Sequence, residues 1–319
     1  MTPGPSTNPS FLALVGPTAS GKTSLSLLVA RHLDLEIISM DSRQVYRGMD
    51  VGTGKVTLRE RNGVPHHGLD IRNPDERYSA GAFSRDCRAW IKEIRGRNRV
   101  PFLVGGTGFF LRALTHPMFS EPKLNRERME GLRAFLNGQP LDTLVQFLRK
   151  LDPGRAEGAE KGGRQRLTRA LEIALLTGKP LSWWHREGPE SEEPLQGLIF
   201  VLEHPREVLY ARIDARVERM VRQEGLLEEV RALVDAGYDA EDPGMTGAGY
   251  REALAHMEGS LDLEEMIREI QQSHRRYARR QITWFRHQLP DGAVSLDATR
   301  PGEVLAGEIA ALWRRRIGS

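Results

Sequence analysis

The sequence of 319 residues contains a single cysteine, Cys87, and no long apolar run. One cysteine excludes an internal disulfide and a cysteine-based zinc site. No apolar stretch approaches the roughly 18 residues that a membrane span needs, so no membrane association is expected. Residues 1–10 lack the basic start and apolar core of a signal peptide. They predict a disordered tail on a cytoplasmic protein.

The chain also lacks a large excess of charge of either sign. The chain carries 46 basic and 43 acidic residues, a net charge of +3. Such a small sum neither shows nor excludes nucleic-acid binding, because that inference depends on clustering. Lysine is scarce, with seven among the 46 basic residues and none after Lys179. Arginine suits phosphate binding and base stacking, but a GC-rich genome also produces such an excess, and both explanations stay open.

Short apolar runs alternate with helical patterns in the first part of the chain. Strands are predicted at Phe11–Val15, at Ile37–Ile38 and at Pro101–Val104, with a helix over Ala80–Arg95. This alternation is typical of an α/β protein with a parallel sheet and helices on both faces. Residues 11–120 therefore begin the core domain.

The pattern changes at about residue 121. Residues 121–159 show helical pieces without a strand signal, which predicts a helical insertion domain. The core is expected to resume over residues 160–319. The elements predicted there are helices over 164–177, over 208–236 with a break near Gly225 and over 263–287, a surface loop over 187–194 and a strand over 198–202.

A phosphate-binding motif lies between the first predicted strand and its helix. It matches G-x-x-x-x-G-K-[ST], the P-loop pattern, in which backbone N–H groups surround phosphate oxygens. Lys22 would reach the outer phosphate and the Thr23 hydroxyl would ligate Mg²⁺. The pattern does not distinguish ATP from another diphosphate. The predicted diphosphate-binding residues are Gly16, Pro17, Thr18, Ala19, Ser20, Gly21, Lys22 and Thr23.

Three further polar segments follow predicted strands or loops. Asp41 comes directly after the second strand, where it could ligate magnesium, act as a base or cap a turn. Gly105–Gly108 is a second candidate phosphate or substrate turn. His66 and His67 are adjacent but have no matching third ligand, which is more typical of structural histidines than of a metal site.

Together these segments resemble the tRNA dimethylallyltransferase family over residues 11 to 287. The motifs that carry the resemblance are residues 16–23, 41–55, 66–71, 78–80, 104–108, 166–172, 177–178, 225–226, 229–230, 249–252, 276–281 and 283–285. The family transfers a dimethylallyl group from its diphosphate to N6 of the adenosine at tRNA position 37. The resemblance implies a P-loop NTPase-like core, Mg²⁺, dimethylallyl diphosphate and the anticodon stem-loop of tRNA as partners, and a monomer.

The resemblance also assigns catalytic roles. Lys22 and Thr23, with magnesium, would stabilise the charge that develops on the leaving diphosphate, and Arg216 would add a positive clamp. Asp41 would accept the proton that N6 loses during attack, since the amine is a poor nucleophile. Thr107 would lie beside the reacting amine. The flipped adenine would lie against residues 41–44.

Contacts to tRNA are expected from several segments. On a helix of 100° per residue, Arg275, Arg276, Arg279, Arg280 and Arg286 fall within an arc of about 140°. This basic stripe would bind phosphates, although a solvated helix face is the plain alternative. Where relatives commonly have Asn-Asp, this chain has Gly162-Gly163, which puts one contact or cap in doubt. The predicted tRNA-binding residues are Asp41, Ser42, Arg43, Gln44, Thr107, Gln165, Arg166, Leu167, Thr168, Arg169, Thr246, Gly247, Ala248, Gly249, Tyr250, Arg251, Arg275, Arg276, Arg279, Arg280 and Gln281.

Two other functions remain as alternatives. The phosphate motif also fits a P-loop kinase that phosphorylates a small molecule with ATP. The basic C-terminal helix and the whole set of motifs argue against that function. A non-catalytic RNA-binding protein is the second alternative, and the intact Lys22, Thr23, Asp41 and Thr107 argue against it.

Overall fold

The computed structural model describes residues 8–116, 124–187 and 193–318. Its sheet has six parallel strands in the order β3-β2-β4-β1-β5-β6. The strands are β1 (Phe11–Val15), β2 (Leu35–Ser39), β3 (His66–His67), β4 (Val100–Gly105), β5 (Gly197–Glu203) and β6 (Val294–Asp297).

Fourteen helices accompany the strands in the described part of the chain. They are α1 (Lys22–Val29), α2 (Leu58–Arg61), α3 (Ala80–Gly96), α4 (Gly108–Thr115), α5 (Arg126–Asn137), α6 (Leu141–Leu151), α7 (Pro153–Lys161), α8 (Arg164–Thr177), α9 (Leu181–Glu187), α10 (Arg206–Arg222), α11 (Leu226–Asp235), α12 (Tyr250–Met257), α13 (Leu263–Gln288) and α14 (Gly302–Ile317). No described helix is long and apolar enough to cross a membrane.

The four inner strands, β2, β4, β1 and β5, are buried on both faces because helices flank the sheet. All five residues of β1 and of β2 are buried. α1 and α14 cover one face, where Val29, Ile309 and Trp313 pack against strand residues such as Phe102 and Phe200. α3 packs against β2 and β4. Continuous apolar runs are what a parallel sheet covered by helices requires.

The carboxyl ends of the central strands meet at one edge of the sheet. Val15 of β1 is in register with Gly105 of β4 and with Val201 of β5, and Ser39 of β2 is in register with Val104. The segments that follow these strands therefore begin side by side. Ligands of doubly wound sheets bind at this edge.

The described residues divide into two compact units. One contains the chain up to Thr115 and from Leu195 onward, and the other lies between His116 and Pro194. In the second unit, α5, α6, α7, α8 and α9 enclose a core that includes Leu148 and Leu171. This unit extends beyond residue 159, where the sequence placed the end of the insertion, because α8 packs against α5, α6 and α7.

The strands and helices predicted from periodicity are confirmed, including the break near Gly225, which precedes α11. Seven elements were not predicted: β3, β6, α2, α4, α9, α12 and α14. β3 has only two residues, and α4 begins inside the glycine turn that follows β4, so neither offers a clear periodic signal. Residues 1–7 of the predicted tail and residues 188–192 of the predicted surface loop lie outside the described residues.

Candidate active site

The phosphate loop, residues 16–23, joins β1 to the N-terminus of α1. Two of its carbonyl groups are engaged by cationic side chains. Lys22 Nζ donates to the Pro17 carbonyl at 2.6 Å, and Arg212 Nε donates to that of Ala19 at 2.9 Å. The first N–H groups of a helix have no partner within the helix. The loop can therefore offer backbone donors and a positive helix end to an anion.

Gln281 of α13 connects this loop to the segment after β4. Its Oε1 accepts from the Thr18 N–H at 2.8 Å, and its Nε2 donates to the Gly106 carbonyl at 2.9 Å. The side chain is buried, with only 5% of its residue surface exposed. Gln281 thus holds two strand-end segments at a fixed separation.

Arg216 of α10 reaches the phosphate loop from the other side. Its Nη1 donates to Thr18 Oγ1 at 3.3 Å, and its Nη2 donates to the Thr53 carbonyl at 3.2 Å. A Cβ atom on Gly54 would lie 1.8 Å from Nη2. Glycine is therefore required at this position if the guanidinium is to lie where it does.

Burial shifts the pKa values of two cations of the site, Lys22 and Arg216. Burial lowers the pKa of Lys22 from its ordinary 10.5 to about 7; the negative charge of Asp41 opposes this shift, and the positive charge of Arg216 adds to it. Burial likewise lowers the pKa of Arg216. Both shifts disfavour the charged forms, and an anionic ligand between the two side chains would reverse them. The electrostatics therefore suit a phosphate-bearing ligand.

Asp41 and Thr107 follow β2 and β4 and are linked through the backbone. Asp41 Oδ1 accepts from the Arg43 N–H at 2.8 Å, and Thr107 Oγ1 accepts from the Ser42 N–H at 3.1 Å. Tyr277 of α13 lies close to both. Burial raises the pKa of Tyr277 to about 12, and the charge of Asp41 contributes to that rise. A carboxylate and two hydroxyl groups are thus grouped at the sheet edge.

A cavity of about 830 Å³ contains most of these groups. Its wall includes the phosphate loop from Thr18 onward, Asp41 and Arg216, together with the apolar side chains of Val56 and Leu69. The volume falls within the range of small-molecule sites. One cavity therefore combines an anion-binding end, a carboxylate and apolar wall.

The arginines of α13 form an exposed face. Arg276, Arg279, Arg280 and Arg286 are exposed, and the Arg280 guanidinium lies 5.7 Å from the centre of the Tyr277 ring. A chain of contacts thus runs from this face to the hydroxyl group beside Asp41.

Two families match the sequence. The family described as IPP transferase matches residues 44–288, and the family described as Isopentenyl transferase matches residues 9–76. The chain belongs to the IPP transferase family. A tRNA dimethylallyltransferase of Halalkalibacterium halodurans is 41% identical over 278 residues, which are 87% of this chain and 88% of that protein. One of Geobacillus thermodenitrificans is 41% identical over 309 residues, 97% of this chain and 96% of that protein.

Solved structures of the same family resemble the whole chain. The full-length tRNA isopentenylpyrophosphate transferase of Bacillus halodurans has a TM-score of 0.69 and 36% sequence identity to this chain. The match covers 97% of this chain and 96% of that protein. A eukaryotic dimethylallyltransferase acting on tRNA has a TM-score of 0.76 and 30% sequence identity to this chain. The match covers 90% of this chain and 73% of that protein. The α/β core therefore has the P-loop NTPase-like fold of its relatives.

Within this family fold, the predicted catalytic residues and the predicted clamp lie at one edge of the sheet. Lys22 and Thr23 open α1, with Thr23 exposed on the wall of the cavity. Asp41 and Thr107 follow the two neighbouring strands, and Arg216 contacts the phosphate loop. The tertiary structure brings together residues that are up to 194 positions apart in the sequence.

Several residues predicted to contact tRNA are buried or paired with other side chains in the structure. Gln281 is buried against the phosphate loop rather than exposed beside the arginines. Tyr250 is also a core residue, with 1% of its surface exposed. Leu167 and Thr168 are buried in the second unit, since they lie on the inner side of α8. Arg275 is half-buried and forms an ion pair with Asp214 at 2.5 Å, so the basic face is not free of acidic partners.

The other residues predicted to bind tRNA include both exposed side chains and side chains that are bonded within the fold. Arg43 donates to the Gly244 carbonyl at 3.3 Å and to Thr246 Oγ1 at 3.2 Å, which ties it to the loop before α12. Thr246 and Arg251 are exposed, whereas the glycines between them are buried. In the second unit Gln165 and Arg166 are exposed.

Two remaining expectations concern glycine and histidine pairs. Gly163 is the N-cap residue of α8 and supplies no side-chain cap. His67 lies on the outer strand β3, and its Nε2 is 2.7 Å from Glu36 Oε2 of the neighbouring strand β2. This contact gives His67 a structural role. The described residues contain no group of three or more His, Cys, Asp or Glu side chains that could hold a metal ion.

Some residues of the site were not predicted. Arg212 lies one helical turn before Arg216, so the spacing on α10 could have pointed to it. His204 Nε2 donates to the Ser20 carbonyl at 3.0 Å, and only its position directly after β5 offered a signal. Tyr277 lies on α13 near Asp41, whose charge raises its pKa, and nothing in the sequence indicated that the two residues would be neighbours.

Proposed function

We propose that this chain transfers a dimethylallyl group from dimethylallyl diphosphate to N6 of the adenosine at tRNA position 37. Membership of the family makes the chain a tRNA-prenylating enzyme. The kinase alternative receives no support from its relatives. The observation that carries the proposed chemistry is the single cavity that holds both the phosphate loop and Asp41. A diphosphate bound at one end would present its allylic carbon toward the carboxylate.

The diphosphate end would be held by the backbone of the phosphate loop, by Lys22 and by Arg216. Cleavage of the allylic C–O bond leaves negative charge on the departing diphosphate, and donors placed beforehand at that point lower the barrier. Both cations are partly buried, which strengthens this effect because water screens their charges less than at an open surface. Arg212 and Gln281 would hold the loop in its binding shape.

Magnesium fits this end of the cavity. The exposed Thr23 hydroxyl is a hard oxygen donor at the start of α1, and Mg²⁺ is commonly bound by one or two protein oxygens together with substrate phosphates and water. Thr23 would therefore hold the ion with the diphosphate oxygens. When bound, the ion would supply charge stabilisation for the leaving group.

The adenosine end would be formed by Asp41, Thr107 and residues 42–44. N6 carries a delocalised lone pair, so the transfer needs a group that accepts its proton, and the carboxylate of Asp41 suits that role. The Thr107 hydroxyl can both donate and accept a hydrogen bond beside it. The base would have to leave the anticodon stack to enter a cavity of this kind.

The exposed arginines of α13 would bind the tRNA backbone near the cavity. Neutralised phosphates release counterions, so binding should weaken steeply as salt is raised. We propose the anticodon stem-loop as the bound part of the tRNA and a monomer as the active form, because the phosphate loop, Asp41 and Arg216 of one chain line the same cavity. A tRNA substrate also favours the cytoplasmic location predicted from the sequence.

The test uses the purified full chain, Mg²⁺, dimethylallyl diphosphate labelled in the prenyl group, and tRNA. Label should appear in tRNA that has adenosine at position 37 and be absent from a tRNA with guanosine there. Mass spectrometry of the digested tRNA should show N6-(dimethylallyl)adenosine. Absence of label in tRNA, or phosphate transfer from ATP to a small molecule instead, would refute the proposal. An isolated anticodon stem-loop tests which part of the tRNA is sufficient.

A further inference from the structure

Glu229 binds a surface loop through three consecutive backbone N–H groups. Its Oε2 accepts from the N–H of Asp50 at 2.7 Å and of Val51 at 2.6 Å, and its Oε1 accepts from the N–H of Gly52 at 3.0 Å. Oε1 also accepts from the Tyr250 hydroxyl at 2.6 Å. Hydrogen bonds to an ionised carboxylate are stronger than those between neutral groups. Four of them on one side chain restrain the loop firmly.

The same loop faces the cavity with its carbonyl groups. Arg216 Nη2 donates to the Thr53 carbonyl at 3.2 Å, and Gln44 Nε2 donates to the Gly54 carbonyl at 3.3 Å. The N–H groups of residues 50–52 are turned toward Glu229, and the carbonyls of residues 53–54 are turned toward the site. The position of Arg216 therefore depends on how this loop, residues 50–54, is oriented.

Tyr250 supports the loop from behind. A Cβ atom on Gly52 would lie 2.5 Å from the Tyr250 ring, so the backbone packs directly against the aromatic side chain. Tyr250 is buried in the core cluster that also contains Leu226 and Val230 of α11. Glu229 is thus held by a rigid region. It does not line the cavity, so it acts on the site only through the loop.

We propose that Glu229 is a positioning residue that orients loop 50–54 and thereby sets the guanidinium of Arg216 for diphosphate binding. The inference rests on the proposed function, because it assigns Arg216 to the diphosphate. Glutamine at position 229 would keep one carbonyl oxygen, but its NH₂ group would face backbone N–H donors. Whichever way the amide is oriented, two of the four donors would lose their acceptor, at least one of them an N–H group of the loop. The loop would then shift, and the Thr53 carbonyl would shift with it.

The test measures binding of inorganic pyrophosphate with Mg²⁺ to the full chain by calorimetry. Glu229→Gln should weaken this binding about ten-fold, which is typical of coupling between residues in one hydrogen-bond network. Glu228→Gln is the matched control, because Glu228 is exposed in the same first turn of α11 and loses the same charge. Its affinity should equal that of the unaltered chain.

A double-mutant cycle separates positioning from a general loss of structure. In an Arg216→Gln background, Glu229→Gln should have little further effect, because the guanidinium that it positions is absent. An equal ten-fold loss in both backgrounds would overturn the inference and indicate a purely structural role. Tyr250→Phe removes one of the four hydrogen bonds and should weaken binding in the same direction, which keeps the test open if Glu229→Gln does not fold.

The outcomes for the two proposals are distinct. Pyrophosphate affinity that is unchanged in Glu229→Gln and in Tyr250→Phe would overturn the positioning role, even if the enzyme prenylates tRNA. Conversely, a chain that binds pyrophosphate with the expected dependence on Glu229 but transfers no prenyl group would refute the proposed function alone.

Discussion

Replacing Asp41 by asparagine tests the central chemical assignment with little change of structure. Asp41 Oδ1 accepts from the Arg43 N–H at 2.8 Å, and the side-chain oxygen of asparagine can accept the same bond. The turn after β2 should therefore keep its shape, and Thr107 should keep its bond with the Ser42 N–H at 3.1 Å. What the substitution removes is the ability to take a proton from N6.

The size of the effect follows from that single loss. General base catalysis by a placed side chain contributes about 10²- to 10⁴-fold, or about 3–5 kcal/mol of the barrier. We expect kcat of Asp41→Asn to fall within that range, with tRNA affinity nearly unchanged. Asp75→Asn provides the control, because Asp75 is exposed and lies outside the cavity wall. Its kcat should equal that of the unaltered chain.

The assay is single-turnover transfer of labelled dimethylallyl to tRNA, with tRNA binding measured separately by a filter or fluorescence method. Single-turnover conditions matter because slow product release would otherwise hide a change in the chemical step. A rate for Asp41→Asn within about threefold of the unaltered chain, with the fold intact, is below the range for a lost base and would remove Asp41 from that role. A fall in tRNA affinity alone would make it a binding residue.

Three other predictions concern the arginine face, the phosphate loop and acid stability. Arg279→Ala and Arg280→Ala should each weaken tRNA binding and reduce the slope of log affinity against log salt by about one, measured by titration at several salt concentrations; an unchanged slope would contradict phosphate contact. Gln281→Leu should lower the free energy of unfolding by about 1–3 kcal/mol in urea titrations, because the partly buried Thr18 N–H and the buried Gly106 carbonyl lose their partner. The Arg97 guanidinium chiefly lowers the pKa of Glu36 to about 2, from an ordinary 4.5. The stability from this carboxylate is therefore complete above about pH 5 and lost as the pH falls toward 2, and Glu36→Gln should flatten that part of the urea-midpoint profile.

Local sequence patterns predicted the elements whose boundaries depend on the residues within them, such as a continuous apolar run or a glycine at a helix end. The run Phe11–Val15 is buried on both faces and was recognisable as a strand, and α8 ends at Gly178, whose left-handed conformation stops the helix where the sequence indicated. The phosphate loop could be located because its glycines and Lys22 lie within eight consecutive residues. Elements without a periodic signal, such as the two residues of β3, were found only in the structure.

The candidate site shows the limit of such patterns. Gln281 lies in a motif with exposed arginines, yet its side chain points to the opposite side of α13 and bonds to the phosphate loop. The residues that adjoin Gln281 in the sequence do not indicate which distant backbone groups its side chain will contact. Glu229 is similar, because the N–H groups that it accepts from are more than 170 positions away.

The sequence alone determined the fold class, the phosphate loop, the family and the catalytic candidates Lys22, Asp41 and Thr107, because these are properties of short segments and of their order. The tertiary structure decided which side chains share the cavity, which arginines are exposed and which are paired, and how loop 50–54 connects Glu229 to Arg216. Those features depend on contacts between distant segments. The physical reason is that burial and hydrogen bonding act on neighbours in space, whereas periodicity reports only neighbours along the chain.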